Sequence, residues 1–298
     1  MEQRTPEWFE ARKLRLTGSR IGAILGLSPW QSPDDIIRQM VREHHGAETE
    51  FKGNPATDHG NNNEQRALLA FMRTTGLLVE ECGFLPYGDR MGASPDGLTS
   101  DGGTLELKVP FGLRNDKEGN FKPLHEQPHY ECQTQMEMLA AERNHAYFAQ
   151  YIAPKGDPLD VDYVPEQINI ERVELDPNWL DKHMPQLDAF YTRLMAELDN
   201  PEHLEPLRAE IDTPEAGALL SEIDTIRARK KADEKREKEI IKELSVIADG
   251  KSALIHGRKF TLVKGRKSVA YKKAIDALLP DADLSDYETV GKESWRLT

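Results

Sequence analysis

Cysteine is almost absent from this chain. Cys82 and Cys132 are the only two in 298 residues, so at most one pairing could form, and a secreted scaffold stapled by disulfides is excluded. A reducing cytoplasm is the expected compartment. Long apolar runs are also missing. No stretch approaches the roughly 20 residues that cross a bilayer, and the leading MEQRTPEWFEARKL lacks the unbroken apolar centre of a signal peptide. Positive charge is in deficit, 39 Lys and Arg against 52 Asp and Glu, for a net charge of -13. That sum argues against wrapping nucleic acid by bulk charge, but DNA responds to local charge. From Lys251 to Lys273 the chain carries Lys251, Arg258, Lys259, Lys264, Arg266, Lys267, Lys272 and Lys273 with no Asp or Glu. This is either a phosphate-contacting stretch or a solvated hairpin in an acidic protein.

What is present is a compact charge pattern. Ser94-Pro95-Asp96 is followed ten residues after the aspartate by Glu106-Leu107-Lys108, with Asp101-Gly102-Gly103 between two short extended runs, which predicts a hairpin. Side chains alternate along a strand, so Glu106 and Lys108 share one face while Leu105, Leu107 and Val109 share the other. The turn returns Asp96 to the polar face. Two carboxylates and an ammonium then converge, which costs desolvation unless a cation compensates it. Carboxylate oxygens suit Mg²⁺ or Mn²⁺, and a neighbouring lysine can orient or help deprotonate an attacking water. The chemistry best served is metal-assisted phosphodiester hydrolysis. A surface hairpin with an ordinary Glu106–Lys108 ion pair is the plainer alternative.

Elsewhere the pattern predicts helices over 32–44, 61–75, 128–142 and 177–199, and extended runs near 77–87, 91–96, 104–109, 145–153 and 167–175. That order suits an α/β fold around a central mixed sheet flanked by helices. Beyond Pro201 the character changes to a highly charged helix over 209–244, then the hairpin SALIHGRKFTLVKG and the helix VAYKKAIDALLP. The expected division is a domain over 1–203, a charged helical connector over 204–249 and a small basic α+β domain over 250–298. Glu64 falls on the apolar face of the 61–75 helix, as a capping partner of Asn61 or as a further metal-site carboxylate. Gln133 and Gln135 lie on one helix, where a glutamine can hold water in a metal or phosphate pocket without adding charge. His125, His129 and Cys132 loosely suggest zinc, but Pro128 breaks their register and no fourth ligand is evident, so they are assigned a structural role. Arg12, Arg15, Thr17, Ser19 and Arg20 gather arginine and hydroxyl donors that suit a terminal phosphate.

These motifs together resemble those of the YqaJ-like viral recombinase nucleases, the lambda-exonuclease-like group of the PD-(D/E)xK superfamily. The resemblance rests on Trp8-x3-Arg12 ahead of TGSRIGAILG, the Asn61-x-x-Glu64 helix, SPDGL…LELKVPF and the Gln133-x-Gln135 helix, and spans about residues 4–200. It implies a PD-(D/E)xK core and a 5′-to-3′ exonuclease on linear double-stranded DNA. Its 3′ overhang would pass to a single-strand annealing protein in phage-type recombination. By position the resemblance implies Asp96, Glu106 and Glu64 as ligands of Mg²⁺ or Mn²⁺, two ions per site, with Lys108 activating water and Gln135 as the motif glutamine. Arg15, Ser19 and Ser94 would grip the 5′ phosphate. Asp89 departs from the family spacing. The segment after Pro201 has no counterpart in compact members, so the assembly is open, with a homo-oligomer one option. An endonuclease or RecB-like single-strand nuclease is the alternative within enzymes, and a non-catalytic DNA-binding recombination scaffold the alternative outside them.

Overall fold

Proline directly after a short polar residue starts several helices of this chain. In the computed structural model, which describes residues 3–48, 53–206 and 211–263, the chain opens with α1 (Pro6–Arg12), β1 (Leu16–Thr17), α2 (Gly18–Ile24), α3 (Pro33–His44) and α4 (Pro55–Thr75). Thr5, Ser32 and Asn54 cap α1, α3 and α4, each accepting from backbone N–H groups of the first turn, and the proline that follows has no N–H to leave unpaired. The rest of this unit is β2 (Val79–Glu80), β3 (Leu85–Tyr87), β4 (Met91–Ala93), β5 (Gly97–Thr99), β6 (Thr104–Lys108), α5 (Pro128–Ala141), β7 (His145–Ile152), β8 (Gln167–Glu174) and α6 (Trp179–Glu197).

A five-stranded mixed sheet runs β2-β5-β6-β7-β8, with β6 and β7 parallel and the other pairs antiparallel. A smaller sheet, β1-β4-β3, joins β1 parallel to β4. The α/β architecture expected from the sequence is therefore present. The alternation of β6 divides the large sheet: Leu105 and Leu107 pack with Ala67, Ala70 and Phe71 of α4, and Glu106 turns to α5. A second core joins α2, α3, α5 and α6 through Ile21, Ile37, Met40, Met136, Trp179 and Phe190. Each large side chain so buried contributes about 1.5–3 kcal/mol. Gly22 sets how closely α2 approaches α5, since a Cβ there would lie 2.8 Å from the His129 backbone.

One expectation is corrected here. The helix carrying Glu64 begins at Pro55, six residues before Asn61, so Glu64 lies mid-helix and Asn61 caps nothing; Asn54 accepts from Ala56 and Thr57 instead. The signal missed was Asn54-Pro55 itself.

By contact the chain divides into two units, Met1–Ala209 and Glu210–Thr298. The second holds α7 (Pro214–Ile247), which buries none of its residues, and the antiparallel pair β9 (Ala253–Ile255) and β10 (Arg258–Phe260). Pairs such as Arg229–Asp233 and Lys230–Glu234, four residues apart, support the solvated α7. The expected helix VAYKKAIDALLP and the basic residues Lys264, Arg266, Lys267, Lys272 and Lys273 lie outside the described residues. Among the described residues no helix is long and apolar enough to cross a membrane.

Candidate active site

The β5–β6 hairpin closes as its sequence requires. Thr99 N–H donates to Gly103 O at 3.0 Å, and Gly102 takes φ +92°, which a side chain would strain. Pairing of the two strands brings Asp96 beside β6: its N–H donates to Leu105 O at 2.9 Å, and its Oδ2 accepts from Leu107 N–H at 2.6 Å. Glu106 is 3 % exposed and ion-paired with Lys108. Burial first, and then the charge of Glu106, hold the Asp96 carboxyl well above the ordinary carboxylate range, against the pull of Lys108. For Lys108 burial works toward release of the proton, but Glu106, Tyr130 and Asp96 outweigh it and its pKa is raised. Lys108 is therefore a held ammonium.

Helix α5 covers this pair with one face. Gln133 Nε2 donates to Glu106 Oε1 at 2.7 Å and to Glu137 Oε1 at 2.8 Å, which turns its own Oε1 toward Lys108 Nζ at 3.3 Å. The Tyr130 ring lies 4.3 Å from Lys108 Nζ. Tyr130, Gln133 and Glu137 are spaced i, i+3 and i+7, a single helix stripe. Glu137 is 1 % exposed and its Oε2 has no partner among the described residues. Burial and then Glu106 raise its pKa far above the carboxylate range. Glu64 of α4 lines the same cavity, about 1000 Å³, with Asp96, Glu106 and Lys108, and its Oε2 pairs with Arg4 at 3.0 Å.

A second polar cluster adjoins the first through the chain itself, because Ser94 is two residues before Asp96. Ser94 Oγ accepts from Arg12 Nη1 at 3.1 Å and from Trp8 Nε1 at 3.0 Å. Arg12 Nη2 reaches Ser19 Oγ at 3.2 Å and Thr17 Oγ1 at 3.4 Å, and the guanidinium stacks 4.1 Å from the Trp8 ring. Burial first, then Arg20, lower its pKa to about 10, so it remains a cation with little water around it.

Residues 7–144, which include all of these side chains except Arg4, match the model of the YqaJ-like viral recombinase domain. Over that span the chain is similar to a YqaJ-like viral recombinase domain. Its structure is similar to that of an alkaline exonuclease, LHK-Exo from Laribacter hongkongensis, at 27% identity and a TM-score of 0.53 over 66% of this chain and 96% of that one. LHK-Exo in complex with dAMP gives 28% identity and the same TM-score over 65% and 95%. A phage-related exonuclease from Haemophilus somnus 129PT, at 18% identity and a TM-score of 0.50 over 64% and 99%, shares the fold. An uncharacterized protein, R354, of Acanthamoeba polyphaga mimivirus is 26% identical over 166 residues, 50% of this chain; the match spans 29% of that curated relative. The fold is that of the PD-(D/E)xK-like exonucleases.

Within the matched residues the expected Asp96, Glu106, Lys108 and Glu64 line one cavity, and Ser19 and Ser94 meet at one arginine. Two expectations are corrected. Gln135 is buried on the far side of α5, donating to Glu174 O at 3.0 Å and accepting from Asp176 N–H at 2.9 Å, because residues two apart on a helix face opposite ways. Gln133 is the glutamine at the carboxylates. Arg15 follows the turn that ends α1 and donates to Gly88 O at 2.9 Å and Met91 O at 3.3 Å, so Arg12 holds the serines in its place. Glu137 was missed altogether. Cys132 is a core residue whose thiol burial pushes up to about 11.

Among the described residues no three Asp, Glu, His or Cys side chains form a ready metal cage. The donor set nonetheless fits a hard divalent cation. Carboxylate oxygens of Asp96, Glu106 and Glu64 line one cavity, and Glu106 and Glu64 are already drawn to cations, Lys108 and Arg4.

Proposed function

We propose that the protein is a Mg²⁺-dependent exonuclease that degrades the 5′-ended strand of linear double-stranded DNA, leaving a 3′ overhang for a single-strand annealing protein. The observation that carries this is the joining of two clusters by one stretch of chain. Ser94 belongs to the Arg12 cluster and Asp96 to the carboxylate cluster, and two residues of extended chain span about 6.5 Å. A phosphate gripped at Arg12 would then lie on the order of one nucleotide from a phosphodiester at Asp96. That spacing suits release of mononucleotides from a phosphorylated end, and the complex of LHK-Exo with dAMP agrees with it.

In this reading Asp96, Glu106 and Glu64 hold the metal, with Mn²⁺ as the usual substitute. The bound metal supplies Lewis-acid polarisation of the phosphoryl group and a more acidic water. Lys108, ion-paired with Glu106 and lining the same cavity as Asp96, is placed to orient the attacking water and to put positive charge where phosphoryl charge develops. Gln133, its amide oriented by Glu106 and Glu137, presents a neutral polar group beside Lys108. Arg12 supplies the two-pronged donor that a terminal phosphate requires.

The deciding experiment compares purified protein with Mg²⁺ or EDTA on 5′-phosphorylated linear duplex, 5′-hydroxyl duplex and closed circular DNA. Mononucleotides from the phosphorylated duplex alone are the expected products. Lys108→Ala should lower kcat about 100- to 1000-fold. Cleavage of circles would replace the reading with an endonuclease, and full activity of Glu106→Gln would refute the site.

A further inference from the structure

One large aromatic ring at the cavity rim is left uncovered. Trp30 keeps 68 % of its surface exposed and lines the same cavity as Asp96, Glu106 and Lys108. It is not on a loose strand of chain. Leu27 and Ser28 N–H groups donate to Gly22 O at 2.8 and 3.1 Å, and Trp30 and Gln31 N–H groups to Ser28 Oγ at 3.2 and 3.4 Å. Beneath it, His129 meets the indole edge-to-face, centroids 4.9 Å apart at 87°. His129 in turn touches Tyr130 at 4.1 Å, and Tyr130 carries Lys108 over its ring. A chain of aromatic contacts therefore runs from the site lysine to the indole at the surface. Burial, then Lys108 and Lys122, keep His129 below its ordinary pKa, so the support under the indole is a neutral ring.

We propose that Trp30 is a nucleobase-stacking platform that holds one base of the DNA while its strand lies across the carboxylates. This rests on the nuclease reading above and adds to it a binding site for the base, where the residues already described handle only phosphate and metal. A flat, supported ring beside a phosphodiester site suits a base because every base has a π face, and such stacking tolerates any sequence. The amphipathic indole also tolerates water when the cavity is empty.

The test uses the full chain. With EDTA present, so that DNA stays intact, a 5′-phosphorylated duplex carrying 2-aminopurine at one of the first few 5′ positions should lose fluorescence on binding wild type, and lose much less on binding Trp30→Leu. With Mg²⁺, Trp30→Ala should raise KM about 5- to 150-fold, the larger part of its effect lying in KM rather than kcat, and Trp30→Phe should recover most of it. A merely structural role would lower the melting temperature of Trp30→Ala and leave the 2-aminopurine signal of the folded variant unchanged, which would overturn the proposal. So would KM and quenching equal to wild type, or a change in oligomer size by light scattering, which would make the ring a contact between copies. If wild type itself neither binds nor cleaves duplex, the nuclease reading fails and this falls with it. If wild type cleaves and Trp30→Ala matches it, only the assignment of Trp30 fails.

Discussion

Gln133 and Gln135 sit two residues apart, yet their substitution should have different consequences for activity. Gln135 is 3 % exposed and its amide closes the junction after β8, donating to Glu174 O and accepting from Asp176 N–H. Gln135→Ala removes both hydrogen bonds, each about 0.5–1.5 kcal/mol net, and leaves a partly buried carbonyl and N–H less well satisfied. The sum is about 1–3 kcal/mol, or about 2–12 °C in melting temperature for a unit of this size. Well below that transition the variant should cleave DNA at close to the wild-type rate. Gln133→Ala removes the shared donor of Glu106 and Glu137 and the acceptor facing Lys108, so beside a loss of stability of similar size it should cost about 10- to 100-fold in the activity of the folded variant. Melting curves and nuclease rates at 20 °C on both variants check the pair. A folded Gln135→Ala enzyme reduced tenfold or more, beside a fully active Gln133→Ala, would refute the assignment.

Arg12→Ala should lower the preference for a 5′-phosphate over a 5′-hydroxyl end about 10- to 100-fold, measured as the ratio of kcat/KM on the two duplexes, whereas Arg15→Ala, whose guanidinium holds the Gly88 and Met91 carbonyls, should keep it. Gly22→Ala puts a Cβ 2.8 Å from the His129 backbone and should destabilise by about 2–3 kcal/mol, seen as a lower denaturation midpoint. At Asp101 burial alone would raise the pKa, but hydrogen bonds from Thr99, Tyr147 and His145 outweigh it and bring it down to about 2. A depressed carboxyl adds stability above its unfolded value near 3.9 and loses that contribution as pH falls through about 2. The stability difference between wild type and Asp101→Asn, from denaturation midpoints, should therefore shrink between pH 5 and pH 2; a constant difference would refute the assignment.

The strand part of the site was legible because its periodicity is rigid. Alternation along β6 fixes Glu106 and Lys108 opposite Leu105 and Leu107, and a glycine turn returns Asp96 to them, so five residues of pattern carry most of the geometry. The helices were less legible, because a helix distributes side chains around a full circle and a short motif does not say which way it faces. Gln-x-Gln leaves two candidates about 200° apart, and only the packing of α5 chooses Gln133. The stripe Tyr130, Gln133 and Glu137 was available in the sequence, and reading at i, i+3 and i+7 would have found Glu137, a buried carboxyl that no separate motif marks. Arg12 and Arg15 differ in the same way. They lie on either side of the turn that ends α1, where Leu14 takes φ 54°, a break that residue type alone did not announce. The cap is the converse case, since Asn54-Pro55 was as plain a helix start as Ser32-Pro33. Placing it there removes the capping role from Glu64, so the position of Glu64 beside Asp96 needs an electrostatic reason: a carboxylate held mid-helix at a cavity with Asp96 and Glu106 raises the local negative charge that a bound cation would relieve.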